Sequence, residues 1–291
     1  MICEQCPRRC GAVREEAVSG GVCAMPSLPV AARAALHFWE EPPISGTRGS
    51  GAVFFSGCPL RCVFCQNSAI SREGFGRPVS EARLREIFEE LIAQGAHNIN
   101  LVTPTHFAGA IARVLERPLG VPVVWNTGGY ERVETLRTLE GKVQIYLPDL
   151  KYLDPARAAR YSAAPDYPET AKAALREMVR QTGPCVLDGE GLLRRGTVIR
   201  HLLLPGGLNE AKAVMDFVAE AFAPGEVWFS LMSQYVPLGR AGEYPEINQT
   251  LRPSERRSAE AYMAALGLEG FVQDPDSASG AYVPNFDLTG V

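Results

Sequence analysis

From Val53 onward the chain alternates short apolar runs with amphipathic stretches. AVFFSG, NINLVT, VPVVWN, KVQIYLP, GTVIRHLLLP and EVWFSLM are rich in β-branched and aromatic residues and read as six strands. Between them the period changes to that of a helix. SEARLREIFEELIAQG places Leu84, Ile87, Phe88, Leu91 and Ile92 at i, i+3, i+4, i+7 and i+8, with Ser80 as N-cap and Gly95 as the stop. HFAGAIARVLER, ERVETLRTLEG, ETAKAALREMVRQTG, LNEAKAVMDFVAEAF and SERRSAEAYMAALG read as further helices. Strands that alternate with helices pair in parallel through right-handed crossovers, which predicts an α/β fold. Six repeats are too few to close an eightfold barrel. Upstream, residues 24–50 read as a linker, a short helical or extended piece and an approach loop. The tail FVQDPDSASGAYVPNFDLTGV, with its Pro, Gly and Ser, reads as a flexible lid or a loosely held terminus.

Composition narrows the class. A chain of 291 residues with 46% hydrophobic content has ample material for a core, and a formal net charge of −4 announces neither a nucleic-acid nor a membrane surface. The N-terminus MICEQCPRRC has no apolar signal region and no run approaches a membrane span, so a cytoplasmic protein is expected.

Seven of the eight cysteines precede residue 66, in two sets, and a chain of this size needs no disulfide framework. Cys58, Cys62 and Cys65 fall in CPLRCVFCQN with spacing C-x3-C-x2-C, in a loop directly after the first strand. That density of thiols points to a soft-metal centre. Zinc sites also use short cysteine spacings, usually as two pairs, whereas an iron–sulfur cube with a thiolate on each iron needs four. A local trio therefore borrows a distant ligand or leaves one iron open. The first set, Cys3, Cys6, Cys10 and Cys23, follows C-x2-C-x3-C-x12-C among turn-forming Pro and Gly, and could close a second site of zinc, iron or iron–sulfur type. Cys185 stands alone and reads as a small buried hydrophobe. His37 reads as a packing residue.

In parallel α/β folds the ligands gather at the C-terminal strand ends, and those ends are polar or small here. They carry Thr103 to His106, then Asn126 and Thr127 before two glycines, Gly128 and Gly129, that permit close backbone approach to a ligand, then Asp149 and Lys151 on one face of an extended strand, and then Arg200 and His201 on opposite faces. Ser233, Gln234 and Tyr235 follow the sixth strand as candidate substrate contacts.

The cysteine trio with Phe64 before its last member, C-x3-C-x-aromatic-C after a first strand, resembles the radical S-adenosylmethionine (SAM) superfamily. The following Gln66-Asn67, the NTGG and DLK elements and VIRHLLLPGG look more narrowly like pyruvate formate-lyase activating enzymes. The resemblance implies a partial (β/α)6 barrel over residues 46–266, with a Cys-rich segment at 1–45 and a tail at 267–291. It implies a [4Fe-4S] cluster on Cys58, Cys62 and Cys65 beside Phe64, and SAM chelated at the open iron and cleaved to a 5′-deoxyadenosyl radical. It also places Thr103, Asn126, Thr127, Asp149, Lys151, Arg200 and His201 around SAM. Two departures stand out: TPTH replaces the Gly-Gly-acid motif that holds the SAM amino group, and Asn126 stands where relatives carry Asp. The expected partners are an electron donor such as flavodoxin or ferredoxin and a protein, peptide or small-molecule substrate, with activation of a glycyl-radical enzyme as one form. The rival class is a non-catalytic iron–sulfur or zinc protein serving electron transfer or interaction.

Overall fold

The computed structural model describes residues 2–16, 18–273 and 284–291. In chain order the elements are β1 (Val30–His37), α1 (Pro42–Ser45), β2 (Ser50–Phe55), α2 (Ser68–Ser71), β3 (Arg77–Pro78), α3 (Glu81–Ala93), β4 (Ile99–Val102), α4 (Ala108–Val114), β5 (Val123–Thr127), α5 (Val133–Arg137), β6 (Ile145–Pro148), α6 (Pro155–Ser162), α7 (Tyr167–Thr182), β7 (Val186–Leu187), β8 (Leu193–Leu202), α8 (Leu208–Ala221), β9 (Trp228–Met232), α9 (Pro253–Ala265) and β10 (Gly270–Val272). All six expected strands form, as β2, β4, β5, β6, β8 and β9, and they pair in parallel in that order. The sheet runs β10-β9-β8-β6-β5-β4-β2-β1-β3, with the short β7 hairpinned onto β8.

Alternation along each strand divides the core. Odd-numbered residues such as Ile99, Leu101, Val123 and Trp125 face the helices, in one cluster with Leu84, Ile87, Phe88 and Leu91 of α3. Ser80 caps α3 by accepting from the Arg83 amide at 3.1 Å. The other face lines the barrel interior. At its floor Ile44, fully buried, packs on Val124, Ile145, Leu147 and Val198.

The piece left open as helical or extended is a strand: VAARAALH forms β1, antiparallel to β2, where pairing outweighs the helix preference of its alanines. Three elements differ from the reading of the sequence. Residues 155–162 form the unforeseen helix α6: Asp154 accepts from the Ala156 amide at 2.8 Å as N-cap, and Pro155 takes the first turn. A seventh parallel strand, β10, carries the sheet past residue 266. Lastly, the described end of the tail is held: Ala34 N donates to Thr289 O, Leu288 N donates to Ala32 O, and Arg33 pairs with Asp287 at 2.9 Å. Phe286 lies edge-on to Phe54, among the inner-face residues Ala52 and Val102. The rest of the expected lid, 274–283, lies outside the described residues.

Candidate functional site

The loop after β2 carries Cys58, Cys62 and Cys65 at the C-terminal rim of the sheet. It is seated on the end of α6, whose last carbonyls lack helical partners and accept instead from this loop: Val63 N donates to Tyr161 O at 2.8 Å and Arg61 N to Ser162 O at 3.3 Å. The Arg240 amide donates to Val63 O at 2.6 Å from the other side. Ser71 Oγ donates to Cys65 Sγ at 3.3 Å, and Ser162 Oγ lies 3.0 Å from Cys62 Sγ. Burial raises the proton affinity of Cys58, and the neighbouring Cys62 and Cys65 sulfurs add to it; burial and Cys62 do the same to Cys65. Phe64 is buried, its ring edge-on to Tyr235 with centroids 6.0 Å apart. Among the described residues no three His, Cys, Asp or Glu side chains converge on a single-ion centre. A cluster that gives each thiolate its own iron asks for a wider spread.

Near this loop, with Lys151 close enough to act on the Cys58 and Cys65 thiols, is a charged network centred on Arg200 of β8. Its Nε donates to Asp149 Oδ1 at 2.9 Å, one terminal nitrogen to Glu40 Oε2 at 3.2 Å and the other to Asn126 Oδ1 at 2.7 Å. Lys151 Nζ closes on Asp149 Oδ2 at 2.6 Å. Glu40 also accepts from Asn100 at 2.9 Å and Asn126 at 3.0 Å, so one carboxylate joins β4, β5 and β8 from below. Burial works against the charge on Asp149, but the cations of Arg200 and Lys151 outweigh it and hold the carboxyl below its usual range. Burial likewise opposes the charges of Arg200 and Lys151, and Asp149 together with Glu41 and Glu40 at the first, and with Cys62 and Tyr167 at the second, more than offsets it. Glu41, one residue on, is pushed up by burial, and its Oε2 has no partner.

Of the expected site residues, Asn126, Asp149, Lys151 and Arg200 thus come together. Arg200 is already bound to three protein acceptors, so its guanidinium is a hub of the interior rather than a free receptor for a carboxylate. Thr127 and His201 turn to the helix side, the first donating to Glu131 Oε1 at 2.6 Å, the second with Nδ1 2.7 Å from Leu150 O. Thr103 sits at the rim in a left-handed conformation, φ +59, and its amide donates to Asn126 O at 2.8 Å. The expectation that Gly128 and Gly129 make room for a ligand meets a different use. Gly129, φ +75, comes so close to Asp149 O that a Cβ would stand 2.2 Å from it, and a Cβ on Gly128 would stand 2.9 Å from Leu60 of the cysteine loop. His106 is buried and kept neutral, its pKa pushed down to about 3 by burial. Cys185 is half-buried, with Thr197 O 3.6 Å from its sulfur. Ser233 and Tyr235 line a cavity of about 210 Å³ with Arg252 and Arg256.

Two groups escaped the sequence reading. Glu40 lay in AARAALHFWEEPP, read as a short helical or extended piece in which only His37 was weighed as a ligand. Glu131 is a carboxyl buried under α4 and α5, held by Thr105, Thr127 and Trp125 and raised by burial to about 7. Its spacing of four from Thr127 was the available signal.

The four head cysteines are neighbours. Cys3 lies beside the bridge between Ile2 and Val13, and Cys23 in a small loop closed by a bridge between Gly20 and Met25. A Cβ on Gly21 would stand 2.7 Å from Cys10 Sγ. Burial raises the Cys6 thiol to about 12, with Cys23 and Cys3 adding to it. The head is inverted relative to a hydrophobic core: Cys3, Cys6 and Cys23 are buried while Ile2 and Val13 are 67% and 58% exposed. Arg14 ties it to the barrel, donating to Cys3 Sγ at 3.4 Å and His106 O at 2.7 Å.

Comparison with known proteins agrees with this fold. An uncharacterized protein of Methanocaldococcus jannaschii, MJ0674, is 28% identical over 267 residues, 88% of this chain and 72% of its own. Among solved structures, Streptococcus suis SuiB bound to its precursor peptide SuiA superposes with a TM-score of 0.51 at 12% identity. The match covers 75% of this chain and 47% of SuiB, so the chain spans about half of SuiB's length. A spore photoproduct lyase mutant bound to dinucleoside spore photoproduct gives a TM-score of 0.50 at 10% identity, over 75% of this chain and 74% of that one. Residues 52–217, which hold the cysteine trio, the rim of β4 to β8 and all of the Arg200 network but Glu40, match the radical SAM superfamily, and the chain belongs to it.

Proposed function

We propose that this radical SAM enzyme abstracts a hydrogen atom from a protein, peptide or small-molecule substrate, with a glycyl-radical enzyme among the candidates. The observation that carries this reading is the placement of three free, mutually adjacent thiols at the sheet rim, near the Asp149–Lys151–Arg200 network. The trio fits a [4Fe-4S] cluster with one iron left open: sulfurs only, with hydroxyl donors at Cys62 and Cys65. Cluster and SAM, when bound, supply reductive cleavage of SAM and its radical product. The chain's own part is to hold and orient. Lys151 has N–H donors beyond the one given to Asp149 and is suited to the SAM carboxylate. Asn126 and Asp149 line the same interior, and the strained backbone at Thr103, with the carbonyls beside Pro104, occupies the rim where the Gly-Gly-acid motif is missing. Ser233, Tyr235 and the cavity they line are suited to substrate.

The reading extends to the head, where Cys3, Cys6, Cys10 and Cys23 hold a second metal with no open position. A segment that buries thiols and exposes its aliphatic side chains has no core to hold it and calls for a staple. Cys10, the exposed member of the four, must turn inward to meet the buried Cys3, Cys6 and Cys23 at a common centre. The natural reductant is then a flavodoxin- or ferredoxin-like protein and the compartment the cytoplasm.

The test is oxygen-free purification followed by electron paramagnetic resonance. SAM should perturb the signal of the reduced cluster, and 5′-deoxyadenosine should accumulate with dithionite. Cys62→Ala should abolish both, whereas Cys10→Ala should leave SAM cleavage at least partly intact. SAM turnover by the Cys62→Ala protein would overturn the assignment of the trio.

A further inference from the structure

A chain of hydroxyl groups reaches the Cys62 sulfur from the interior. Ser162, the last residue of α6 and fully buried, places Oγ 3.0 Å from Cys62 Sγ and 3.1 Å from the Tyr152 hydroxyl, itself 1% exposed. Each hydroxyl has a single proton to give. When Cys62 is a metal-bound thiolate it can only accept, so Ser162 must donate to sulfur, which leaves its oxygen free to accept from Tyr152. Every proton then has a partner and the order Tyr152 to Ser162 to Cys62 is fixed.

The position of Ser162 is set from the head. Arg8, between Cys6 and Cys10, donates through Nε to Pro59 O at 2.7 Å and through its terminal nitrogens to Ala163 O and to Ser162 O at 3.2 Å. Its guanidinium also lies over the Tyr130 ring, 5.3 Å from the centroid. A cation at the C-terminal carbonyls of a helix is favourable on its own account. Here it also pins the residue that touches the cluster ligand.

We infer that Tyr152 and Ser162 form a hydrogen-bond relay that sets the electron affinity of the centre bound at Cys62, with Arg8 of the head as the residue that positions it. The inference rests on the reading that the trio ligates the cluster. Hydrogen bonds to cluster sulfurs are among the determinants of reduction potential. A donor draws negative charge from the thiolate and stabilises the reduced, more negative state, so removing it makes reduction harder.

The experiment is an anaerobic redox titration of the full chain without SAM, followed by electron paramagnetic resonance, with iron counted in each sample. Ser162→Ala should lower the ratio of reduced to oxidised centre at fixed solution potential about tenfold, the order of one charge-assisted hydrogen bond, which for one electron is a shift of about 59 mV to more negative potential. Ser162→Thr, which restores a hydroxyl, should recover most of it, and Tyr152→Phe should give a smaller shift of the same sign. An unshifted potential in Ser162→Ala with full iron overturns the relay. If Ser162→Ala fails to load iron, Tyr152→Phe decides, and an unshifted potential there is equally fatal. A wild-type chain without cluster iron would instead defeat the reading of the trio itself.

Discussion

Replacing Arg200 by Leu should be among the most damaging single changes in the barrel. The variant strands two acceptors of charge, Asp149 and Glu40, whose side chains are only 15% and 9% exposed, and leaves Asn126 Oδ1 without its donor. With Arg200 itself 13% exposed, solvent screening offers little relief. Breaking a buried ion pair by removing one partner costs about 3–5 kcal/mol. In the wild type the pKa of Asp149 is depressed, so its contribution to stability is present above the ordinary aspartate range and is lost as pH falls through the folded value. In Arg200→Leu the burial penalty is met only by Lys151, so the folded pKa of Asp149 rises. The deficit should then be largest near pH 7 and shrink towards pH 5 as the stranded carboxyl protonates. Urea unfolding of the metal-free chain at both pH values measures it as a change in midpoint at constant slope. A deficit below about 1 kcal/mol, the range of exposed pairs, or one that does not change with pH, would refute the description of Arg200 as the charge-balancing hub.

Three further outcomes follow from other residues. Glu131 has a folded pKa raised from 4.5 to about 7, so stability should fall as pH rises from the unfolded to the folded value and then level off; Glu131→Gln should flatten that slope, worth about 3 kcal/mol across the window. Thr103→Gly should relieve a left-handed backbone at a cost of about 1–2 kcal/mol, visible as a raised melting temperature together with weaker SAM binding by calorimetry if the strained rim serves the cofactor. Asp154→Ala should remove the N-cap of α6, lowering stability by about 1 kcal/mol and speeding hydrogen exchange at the Val63 amide, which donates to that helix's last turn.

The repeat of strand and helix was legible because burial on one face imposes a period, and all six strands came out in place. The alternation rule also showed that Arg200 and His201 could not share a face, and the interior received Arg200. Contacts made across long sequence separations were not legible. Glu40 acts where the chain passes beneath the barrel, 60 residues from Asn100, 86 from Asn126 and 160 from Arg200, and no local period records such a crossing. α6 carried a readable start in Asp154-Pro155, but its importance comes from the cysteine loop resting on its end, nearly a hundred positions earlier. The glycines after Asn126 were rightly singled out as places of close approach, but the approaching group is the chain's own backbone.

The strip 284–291 has a mechanical implication. It is fastened to β1 by the two backbone links at Ala34 and Leu288 and the ion pair of Arg33 with Asp287, and to β2 by the Phe286 ring against Phe54. Terminal segments open at smaller free energy than central strands. The Ala34 amide should therefore exchange with solvent sooner than the amides of β4, two strands further in, and each such opening would expose Ala52, Phe54 and Val102, the inner-face residues that Phe286 covers.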